Sequence, residues 1–341
     1  MAAPPRLRAA VAGATGYIGI QCVEMLARHP HVELVRLLAR THAGRRFSEV
    51  VPGSRVDLQL DPGLDVDGVD LVLAALPHTV AASHARGWVA SGAVVVDMSA
   101  DFRLRDARTW SQWYRLDHPD PELCASAVYA LPELPGRSLT DASLLAVPGC
   151  YPTAALLACV PALAAGLVEP DLVVDAKSGV SGSGRSPTMG VHFAEVNESV
   201  HAYGVDGHRH KAEMLQELRL VAGGEVQLTF VPHLVPMTRG ILATAYLRPR
   251  PGVTASDIEA AYAEFCDGHP CLRLDPQPPA TKSVTATNVA ALHAGWQDGM
   301  AVITCAVDNL VKGAGGQGLQ ALNLRFGYPE TAGLQLEASW P

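Results

Sequence analysis

The first half of the chain alternates short apolar runs with segments that have helical spacing. Strand-like segments lie at 7–13, 31–40, 70–78 and 93–99, and the last two are nearly continuous apolar runs. Such runs are typical of parallel strands that are buried on both faces, because helices cover both sides of the sheet. Residues 17–30 have the spacing of one such helix. The pattern therefore predicts an N-terminal α/β domain with a doubly wound parallel sheet.

The pattern changes after residue 150, where longer alternating segments begin. Four of these segments predict strands, at 225–234, 239–249, 287–296 and 299–310. A segment with helical spacing at 256–268 would cover one face of the resulting sheet. We therefore predict a second domain of α+β type with a mostly antiparallel sheet.

These patterns predict two domains that meet near residue 150. The first, residues 1–149, would bind a dinucleotide and would be completed by a C-terminal helix at about 313–341. The second, residues 150–312, would hold the catalytic and substrate-binding groups and form the oligomer contacts. A chain of 341 residues has the usual length for two domains of moderate size.

Composition narrows the possible partners and the compartment. The net charge of −8 and the lack of a long basic run argue against a nucleic-acid-binding surface. The seven cysteines are scattered and form no CxxC pair, which favours reduced thiols in a cytoplasmic protein. The N-terminal residues show no signal peptide. Residues 142–168 contain no charged side chain, but prolines and glycines interrupt them, so we expect a buried strand, turn and helix rather than a membrane span.

A glycine-rich segment, VAGATGYIG at residues 11–19, follows the first predicted strand and precedes the first predicted helix. Glycine permits a tight turn and a close approach of the backbone to a pyrophosphate, which the helix N-terminus then binds. We interpret the domain as Rossmann-like on this basis. The cofactor-binding residues expected in the segment are Gly13, Thr15, Gly16, Tyr17, Ile18 and Gly19. The alternative is a turn with a structural role only, since the GxxGxxG spacing alone is a weak signal.

The end of the second predicted strand favours NADP over NAD. Proteins that bind a free adenosine ribose usually have an Asp or Glu there, about 20 residues after the glycine loop. This chain has Arg40 and Thr41 at that place and no acidic residue. A guanidinium group suits a 2′-phosphate, because it makes charge-assisted and often bidentate hydrogen bonds. The alternative is that Arg40 is an ordinary surface charge.

Cys150 lies in the segment AVPGCYPTAALLA, directly before a run with helical spacing. Pro152 suits the first turn of a helix, so the sulfur is expected at or near the N-cap. The amide groups and the dipole at a helix N-terminus stabilise a thiolate. We therefore interpret Cys150 as a nucleophile. The alternative, a small buried apolar side chain, is how we interpret Cys159 and Cys305.

A nucleophilic thiol needs a base, and the segment DGHRHKAEMLQELRL offers His208 and His210 at the start of another predicted helix. The helix dipole there disfavours the imidazolium ion and keeps a histidine neutral, which lets it accept a proton. The sequence does not separate the two histidines, and both could merely cap the helix. A metal site that includes His201 is disfavoured because the spacing matches no known zinc motif, and we expect no metal.

Two arginines complete the candidate site. Arg103 follows a strand in DMSADFRL, and Arg185 lies in KSGVSGSGRSP, a glycine–serine loop that can form an anion-binding nest. They suggest an anionic substrate, although each could be a solvated surface charge. We also expect Ser181 and Gly182, in the same loop, to contact the cofactor. Together with a thiolate and a nicotinamide, these groups indicate displacement of phosphate from an acyl phosphate, followed by reduction of the thioester to an aldehyde.

A series of longer motifs extends along nearly the whole chain. In order they are GATGYIG, LAALPHTV, DMSADFRL, YALPEL, PGCYPTAALLA, DAKSGVSGSGR, HFAEVNE, GHRH, VPHLVPMTRGIL and DNLVKGAGGQGLQ. They resemble the N-acetyl-γ-glutamyl-phosphate reductase family, in the aspartate-semialdehyde dehydrogenase superfamily. The resemblance implies a glyceraldehyde-3-phosphate dehydrogenase-like fold. It also implies NADPH-dependent reduction of N-acetyl-L-glutamyl 5-phosphate to N-acetyl-L-glutamate 5-semialdehyde and phosphate, via a cysteine thioester, in arginine biosynthesis.

The same resemblance assigns roles to individual residues. It implies that Cys150 is the nucleophile and that GHRH supplies the acid/base histidine, with His208 as the first choice. It implies that residues 13–19, Asn309 and Gly313 hold NADP near the cysteine. It further implies a cytoplasmic homotetramer or homodimer whose substrate is a small-molecule acyl phosphate.

Other interpretations depend on specific residues. Ala212 occupies a position at which family members often have proline. This departure leaves open a related reductase that acts on aminoadipyl or glutamyl phosphate bound to a carrier protein, in lysine or arginine biosynthesis. A short-chain dehydrogenase also begins with GATGxxG, but none of the four lysines here completes its Tyr-x-x-x-Lys pair. A non-catalytic NADP-sensing regulator would leave the position of Cys150 unexplained.

Overall fold

The computed structural model describes residues 6–339. In chain order the strands are Leu7–Ala12 (β1), Val32–Leu38 (β2), Leu60–Asp61 (β3), Leu71–Ala74 (β4), Val94–Asp97 (β5), Val128–Tyr129 (β6), Leu144–Ala146 (β7), Val168–Ser178 (β8), His201–Ala202 (β9), Gln227–Leu234 (β10), Ile241–Pro249 (β11), Leu272–Leu274 (β12), Ala290–Gln297 (β13) and Met300–Val307 (β14). The α-helices are Tyr17–Leu26 (α1), Phe47–Val50 (α2), Val80–Ala90 (α3), Ala107–Tyr114 (α4), Pro121–Ser126 (α5), Cys150–Ala164 (α6), Phe193–Val196 (α7), His210–Ala222 (α8), Ala255–Cys266 (α9) and Gly316–Arg325 (α10). Short 3₁₀-helices lie at Val180–Ser183, Met189–Val191 and Thr281–Val284, and a π-helix lies at Val311–Gly315.

The chain divides into two compact units. The first unit runs up to Pro132 and also contains Arg137–Pro148 and Ala314–Leu334. The second unit contains Glu133–Gly136, Gly149–Gly313 and the chain from Gln335 onward. Each unit therefore includes segments that are distant in sequence, and each has its own sheet.

The first unit contains a seven-stranded sheet in which every neighbouring pair is parallel. The strand order is β3-β2-β1-β4-β5-β7-β6. Residues 9–12 of β1 and 71–74 of β4 have no solvent exposure, as the apolar runs predict for central strands. The strand order reverses between β1 and β4. The loops that follow these two strands therefore border the crevice in which doubly wound folds bind ligands.

Helix α10 packs on β5, β7 and α1 of the first unit. A polar contact secures it, because His29 Nε2 lies 2.9 Å from Asn323 Oδ1. The backbone N–H of His31 donates to His29 Nδ1 at 3.2 Å, so neutral His29 holds its proton on Nε2 and donates it to Asn323. Burial lowers the pKa of His29. The structure ends α10 at Arg325, and Gly327 then adopts a φ of 68° that stops the helix.

The second unit contains a mixed seven-stranded sheet with the order β12-β13-β14-β11-β8-β10-β9. The pairs β13–β14, β14–β11, β11–β8 and β10–β9 are antiparallel, and the pairs β12–β13 and β8–β10 are parallel. Most pairs are therefore antiparallel, as predicted. Helix α6 packs against β8, β11 and β14, and residues 151–163 of this helix are all buried. Most of the uncharged run at 142–168 is thus the core helix α6. Within residues 6–339, no helix is long and apolar enough to cross a membrane.

The opposite face of the second sheet is only partly covered. Alternate residues of β8 and β11 point away from α6, and among them Val173 and Tyr246 are 38% and 40% exposed. Asp175 on the same face lies 2.5 Å from Lys177 Nζ and 3.4 Å from His233 Nδ1. The face therefore combines apolar and charged side chains.

Candidate active site

Cys150 is the first residue of α6. Gly149 precedes it in an extended conformation, with φ −65° and ψ 154°, and provides no side-chain cap. The first turn of α6 has no acidic residue, so the positive end of its dipole is not neutralised within the helix. Cys150 is half-buried, whereas Cys159 and Cys305 have no solvent exposure. Burial raises the pKa of Cys159 to about 12, which leaves it an inert core thiol.

Gly313 packs directly against Cys150. A Cβ added at Gly313 would lie 2.9 Å from Cys150 Cβ and 3.2 Å from Cys150 Cα. These distances are shorter than ordinary van der Waals contacts, so only glycine is accommodated without displacement. Gly313 was predicted as a cofactor residue, and the structure shows that it packs against one side of Cys150.

An aromatic cluster lies beside Cys150 and consists of Tyr151, Tyr203, His208, His210 and Phe230. The centre of the His208 ring lies 5.9 Å from that of Tyr151, 5.7 Å from those of Tyr203 and Phe230, and 4.8 Å from that of His210. The His210 ring in turn lies 6.1 Å from the Tyr151 ring. Both predicted histidines therefore pack against Tyr151, the residue that follows Cys150.

Two tyrosine hydroxyls form a chain through this cluster. The Tyr203 hydroxyl donates to the Tyr151 hydroxyl at 3.0 Å, and the Tyr151 hydroxyl donates to the backbone carbonyl of His233 at 3.0 Å. Burial is the largest cause of a raised pKa at both tyrosines, and negative charge on Cys150 raises both further. Both hydroxyls are therefore neutral donors at physiological pH, and they lie within electrostatic reach of the sulfur.

His208 precedes α8, and His210 is the first residue of that helix. The backbone N–H of His210 donates to His208 Nδ1 at 3.2 Å. Neutral His208 therefore holds its proton on Nε2 and can donate it from there. Burial, and then the charge of Arg209, lower the pKa of His208 to about 4. The predicted neutrality thus has burial as its main cause, rather than the helix dipole.

Glu213 links α8 to the start of α6. Its carboxylate is buried, and Oε1 accepts the backbone N–H of Gly149 at 2.8 Å. Glu213 lies one helical turn after His210, on the same face of α8. Ala212, the departure from the family pattern, is buried in the first turn of α8, where proline would also be tolerated.

The loop after β14 places Asn309 beside the glycine–serine loop. Asn309 Nδ2 donates to Ser181 Oγ at 2.9 Å, and its Oδ1 accepts the backbone N–H of Gly240 at 2.7 Å. Ser181 is buried, whereas Gly182 and Arg185 are exposed. The structure therefore brings Ser181 and Asn309 together.

The predicted dinucleotide loop lies in the first unit, between β1 and α1. Gly13 has a φ of 82°, and a Cβ there would lie 2.2 Å from the backbone oxygen of Ala75. A Cβ on Gly19 would lie 2.1 Å from the backbone oxygen of Gly13. Gly16 is the N-cap of α1, whose N-terminus has neither a side-chain cap nor an acidic residue. This close-packed backbone with an uncapped helix end fits a pyrophosphate group.

The remaining loop residues line the same turn. Thr15 and Ile18 are half-buried, and Tyr17 is 37% exposed. Arg40 and Thr41 are exposed two and three residues after β2 ends. The backbone N–H groups of Gly13 and Ala14 donate to the carbonyl of Leu38, which ties the end of β2 to the glycine loop. An exposed guanidinium near that loop fits a 2′-phosphate.

Arg103 is held by backbone carbonyls of the first unit. Its Nε donates to the carbonyl of Val147 at 2.8 Å, and one Nη donates to the carbonyl of Met98 at 3.0 Å. These bonds fix the guanidinium next to the segment that leads to Cys150. Asp97 is fully buried nearby, and its pKa is raised to about 7, chiefly by burial and then by the charge of Asp101.

Sequence reasoning missed the tyrosines and Glu213. Tyr151 follows the nucleophile directly, and Glu213 lies three residues after His210, so local signals existed for both. Tyr203 gave no such signal, because it lies 52 positions from Tyr151 in the sequence and only the fold brings the two hydroxyls together. Within residues 6–339, no group of three or more His, Cys, Asp or Glu side chains is placed to hold a metal ion.

Family models match both units. Residues 8–142 match the semialdehyde dehydrogenase NAD binding domain. Residues 150–309 match the semialdehyde dehydrogenase dimerisation domain.

The chain is also similar over its whole length to proteins named N-acetyl-gamma-glutamyl-phosphate reductase. The protein of Dehalococcoides mccartyi is 42% identical over 98% of this chain and 99% of the relative. That of Desulforudis audaxviator is 43% identical over 98% of this chain and 100% of the relative. That of Syntrophobacter fumaroxidans is 44% identical over 98% of this chain and 99% of the relative.

Solved structures share the fold at low sequence identity. Aspartate semialdehyde dehydrogenase II of Vibrio cholerae, complexed with ASA, has a TM-score of 0.72 and 15% identity over 94% of this chain and 98% of that chain. The Candida albicans aspartate semialdehyde dehydrogenase with NADP has a TM-score of 0.65 and 15% identity over the same shares. These matches confirm the predicted fold class.

Proposed function

This chain belongs to the N-acetyl-gamma-glutamyl-phosphate reductase family, and we propose that its reaction passes through a thioester on Cys150. The substrate is N-acetyl-L-glutamyl 5-phosphate, and the products are N-acetyl-L-glutamate 5-semialdehyde and phosphate, in arginine biosynthesis. The relatives' names give no support to the carrier-bound substrate. The observation that carries the proposal is the half-buried thiol at the first residue of α6, whose neighbour Tyr151 packs against both histidines.

Cys150 performs the first chemical step as a thiolate. Its sulfur attacks the acyl carbon, the C–S bond forms, and the C–O bond to phosphate breaks so that phosphate leaves with the electron pair. The amides at the start of α6 stabilise the thiolate before this attack. Gly313 limits the movement of the cysteine, because the two residues are already in close contact.

His210 accepts the thiol proton, and His208 acts as a hydrogen-bond donor. This assignment differs from the first choice that the family resemblance implied. In His208 the lone pair of Nδ1 accepts the backbone N–H of His210 and Nε2 holds the proton, so neither nitrogen is available to take up the thiol proton. Burial also opposes an imidazolium at His208, so the role of base is assigned to His210. From Nε2, His208 can donate to the oxygen of the acyl group as negative charge develops there.

In the first unit, the groups that hold the cofactor are the glycine loop and Arg40. NADPH, when bound, would supply the hydride that reduces the thioester to the aldehyde, and Cys150 would leave the aldehyde carbon as the thiolate. Arg40 pairs with the 2′-phosphate and so favours NADP over NAD. Support for the loop assignment comes from Gly13 and Gly19, where no side chain fits.

Arg103 and Arg185 bind the anionic groups of the substrate. Arg103 is held in place by two backbone carbonyls, which reduces the entropy it loses on binding a phosphate or carboxylate. Arg185 lies in an exposed glycine–serine loop, where it is accessible to an incoming ligand.

A second copy of the chain covers the exposed face of the second sheet. Residues 150–309 match a dimerisation domain, and Val173 and Tyr246 expose apolar surface on this face. The assembly is thus a homodimer or a tetramer built from such dimers. Sedimentation velocity on the Tyr246→Asp variant tests it, since a charge at the contact should shift the protein towards monomer. The seven cysteines, all of which lie within residues 6–339, form no disulfide, which supports a cytoplasmic location.

The decisive test measures the reverse reaction, phosphate-dependent reduction of NADP with N-acetylglutamate semialdehyde. Cys150→Ala should abolish it and leave the Kd for NADP near wild type, because the sulfur forms the only covalent link to substrate. Cys266→Ala is the matched control, since that thiol is half-buried and burial raises its pKa to about 11. Retained turnover in Cys150→Ala would refute the proposal. Activity only with a carrier-bound semialdehyde would instead identify the related lysine-type reductase.

The two histidine roles are separated by glutamine variants. His208→Gln retains an N–H donor near the position of Nε2, so we expect only a partial loss of kcat. His210→Gln cannot accept or release the proton, and general acid–base catalysis typically contributes about 10²- to 10⁴-fold. A larger loss at His208 than at His210 would reverse the assignment.

A further inference from the structure

Lys312 and Glu133 form an ion pair that is completely buried in the second unit. Lys312 Nζ lies 2.5 Å from Glu133 Oε1, and both side chains have 0% exposure. The two residues are 179 positions apart in sequence. Buried charges of this kind are expensive to desolvate, and replacing such a pair by apolar side chains is often neutral for stability or stabilising. The pair therefore calls for an explanation other than net stability.

Lys312 belongs to the π-helix Val311–Gly315 and directly precedes Gly313. π-helical turns are rare and occur frequently at functional sites. This one leads straight into the glycine that contacts Cys150, where the added Cβ would lie 2.9 Å from Cys150 Cβ. Lys312 is joined to Gly313 by one peptide bond, so a movement of Lys312 also moves the glycine that contacts Cys150.

The other end of the same turn is also fixed, by Asp308. The Asp308 carboxylate accepts the backbone N–H of Leu310 at 2.9 Å and makes two contacts of 3.1 Å with Arg239. The backbone carbonyl of Asp308 accepts the N–H of Gly313 at 2.9 Å. Asp308 holds the start of the turn, and the Lys312 side chain anchors the turn next to Gly313 through its pairing with Glu133.

We propose that Lys312 is a positioning residue for the nucleophile, whose ion pair with Glu133 fixes the π-helical turn that holds Gly313 against Cys150. The inference rests on the proposed function, because it concerns the nucleophile of that reaction. Lys312 touches neither the substrate nor the sulfur in this role. It acts through the backbone of Gly313.

Three variants separate a positioning role from a structural one. In Glu133→Met/Lys312→Met both charges are replaced by flexible side chains of similar volume, so Tm should remain near wild type. The directional contact is lost, and we expect kcat to fall at least about tenfold, since a displacement of about 1 Å can cost about 100-fold. Glu133→Gln keeps an acceptor of the same shape and should retain more activity than the double variant. Ile258→Ala, in the core of the same unit, is the control for lost stability alone.

The readouts are kcat and KM in the reverse assay, the Kd for NADPH, and the rate constant for alkylation of Cys150 by iodoacetamide. We expect the double variant to lose kcat and to change its alkylation rate while the Kd stays near wild type. The control should lower Tm and leave the alkylation rate unchanged. Wild-type kcat and alkylation in a stable double variant would overturn the proposal. Failure of the double variant to fold would also overturn it, because the pair would then serve stability.

These outcomes remain distinct from failure of the proposed function. If wild-type protein shows no turnover, the proposed function fails, whereas the alkylation rates still report whether Lys312 positions Cys150. If wild-type protein turns over and Cys150→Ala does not, a normal double variant contradicts only the positioning role.

Discussion

An alanine at position 313 would place a methyl group where the structure has no room for one. The added Cβ would lie 2.9 Å from Cys150 Cβ, whereas ordinary contacts begin at 3.4 Å. The two residues must therefore separate by at least the difference, 3.4 − 2.9 = 0.5 Å. The Cα of Cys150, at 3.2 Å from the added atom, restricts the direction of that movement.

The expected effect on catalysis is larger than the effect on stability. Catalytic groups tolerate displacements of about 0.5 Å, and about 1 Å can reduce rates 100-fold, so we expect kcat to fall by about 10- to 100-fold. Overpacking costs about 1–3 kcal/mol, and the better helix propensity of alanine offsets about 1 kcal/mol of that cost. The net loss of stability is thus about 0–2 kcal/mol.

The assay combines the reverse reaction with thermal unfolding and alkylation of Cys150. Gly224→Ala is the matched control, because nothing lies within 4 Å of a Cβ at that position of the same unit. We expect Gly224→Ala to leave kcat and the alkylation rate unchanged. A Gly313→Ala variant with kcat within about twofold of wild type would refute the argument that Gly313 confines the nucleophile. A raised Kd for NADP would show in addition that Gly313 contacts the cofactor.

Three further predictions follow from other parts of the structure. Gly19→Ala should raise the Kd for NADPH at least about tenfold, since the added Cβ would lie 2.1 Å from the backbone oxygen of Gly13. Gly87→Ala is the control and should leave the Kd unchanged, because there is open space around that position. Equal Kd values for the two variants would contradict the loop assignment. His208 should stay neutral, with its proton on Nε2, down to about pH 5 in ¹⁵N NMR spectra, because its pKa is lowered to about 4; an imidazolium signal at pH 6 would contradict this. The pKa of His29 is lowered in the folded protein, so as pH falls the unfolded chain binds a proton before the folded protein does. The free energy of unfolding should therefore decrease below about pH 6.5. His29→Asn should make this decrease with falling pH smaller.

Much of the fold could be predicted because its signals are local. The apolar runs of β1, β4 and β5 encode burial on both faces, and the glycines at 13 and 19 encode the close turn that follows β1. Pro152 correctly placed Cys150 at the start of a helix, because the preference of proline for the first turn depends only on neighbouring residues.

The rest of the site depends on contacts between distant segments. Tyr203 reaches Tyr151 because β9 pairs with β10. Lys312 pairs with Glu133, which lies 179 positions away in the sequence. No local pattern specifies such pairings. The neutrality of His208 was predicted from the helix dipole, but burial by surrounding rings is its main cause, and burial is a property of the folded structure. The π-helix before α10 was likewise hidden, since nothing in the segment VKGAG distinguishes a π-turn from an α-helical one.

The central claim, that Cys150 forms the thioester, is tested most directly by trapping the acyl-enzyme. The protein is mixed with N-acetyl-L-glutamyl 5-phosphate in the absence of NADPH, quenched in acid, digested and analysed by mass spectrometry. The account predicts an N-acetylglutamyl group on the peptide that contains Cys150, sensitive to hydroxylamine and absent from Cys150→Ala. An unmodified Cys150 in protein that turns over the substrate when NADPH is added, or an acyl group on another residue, would contradict it.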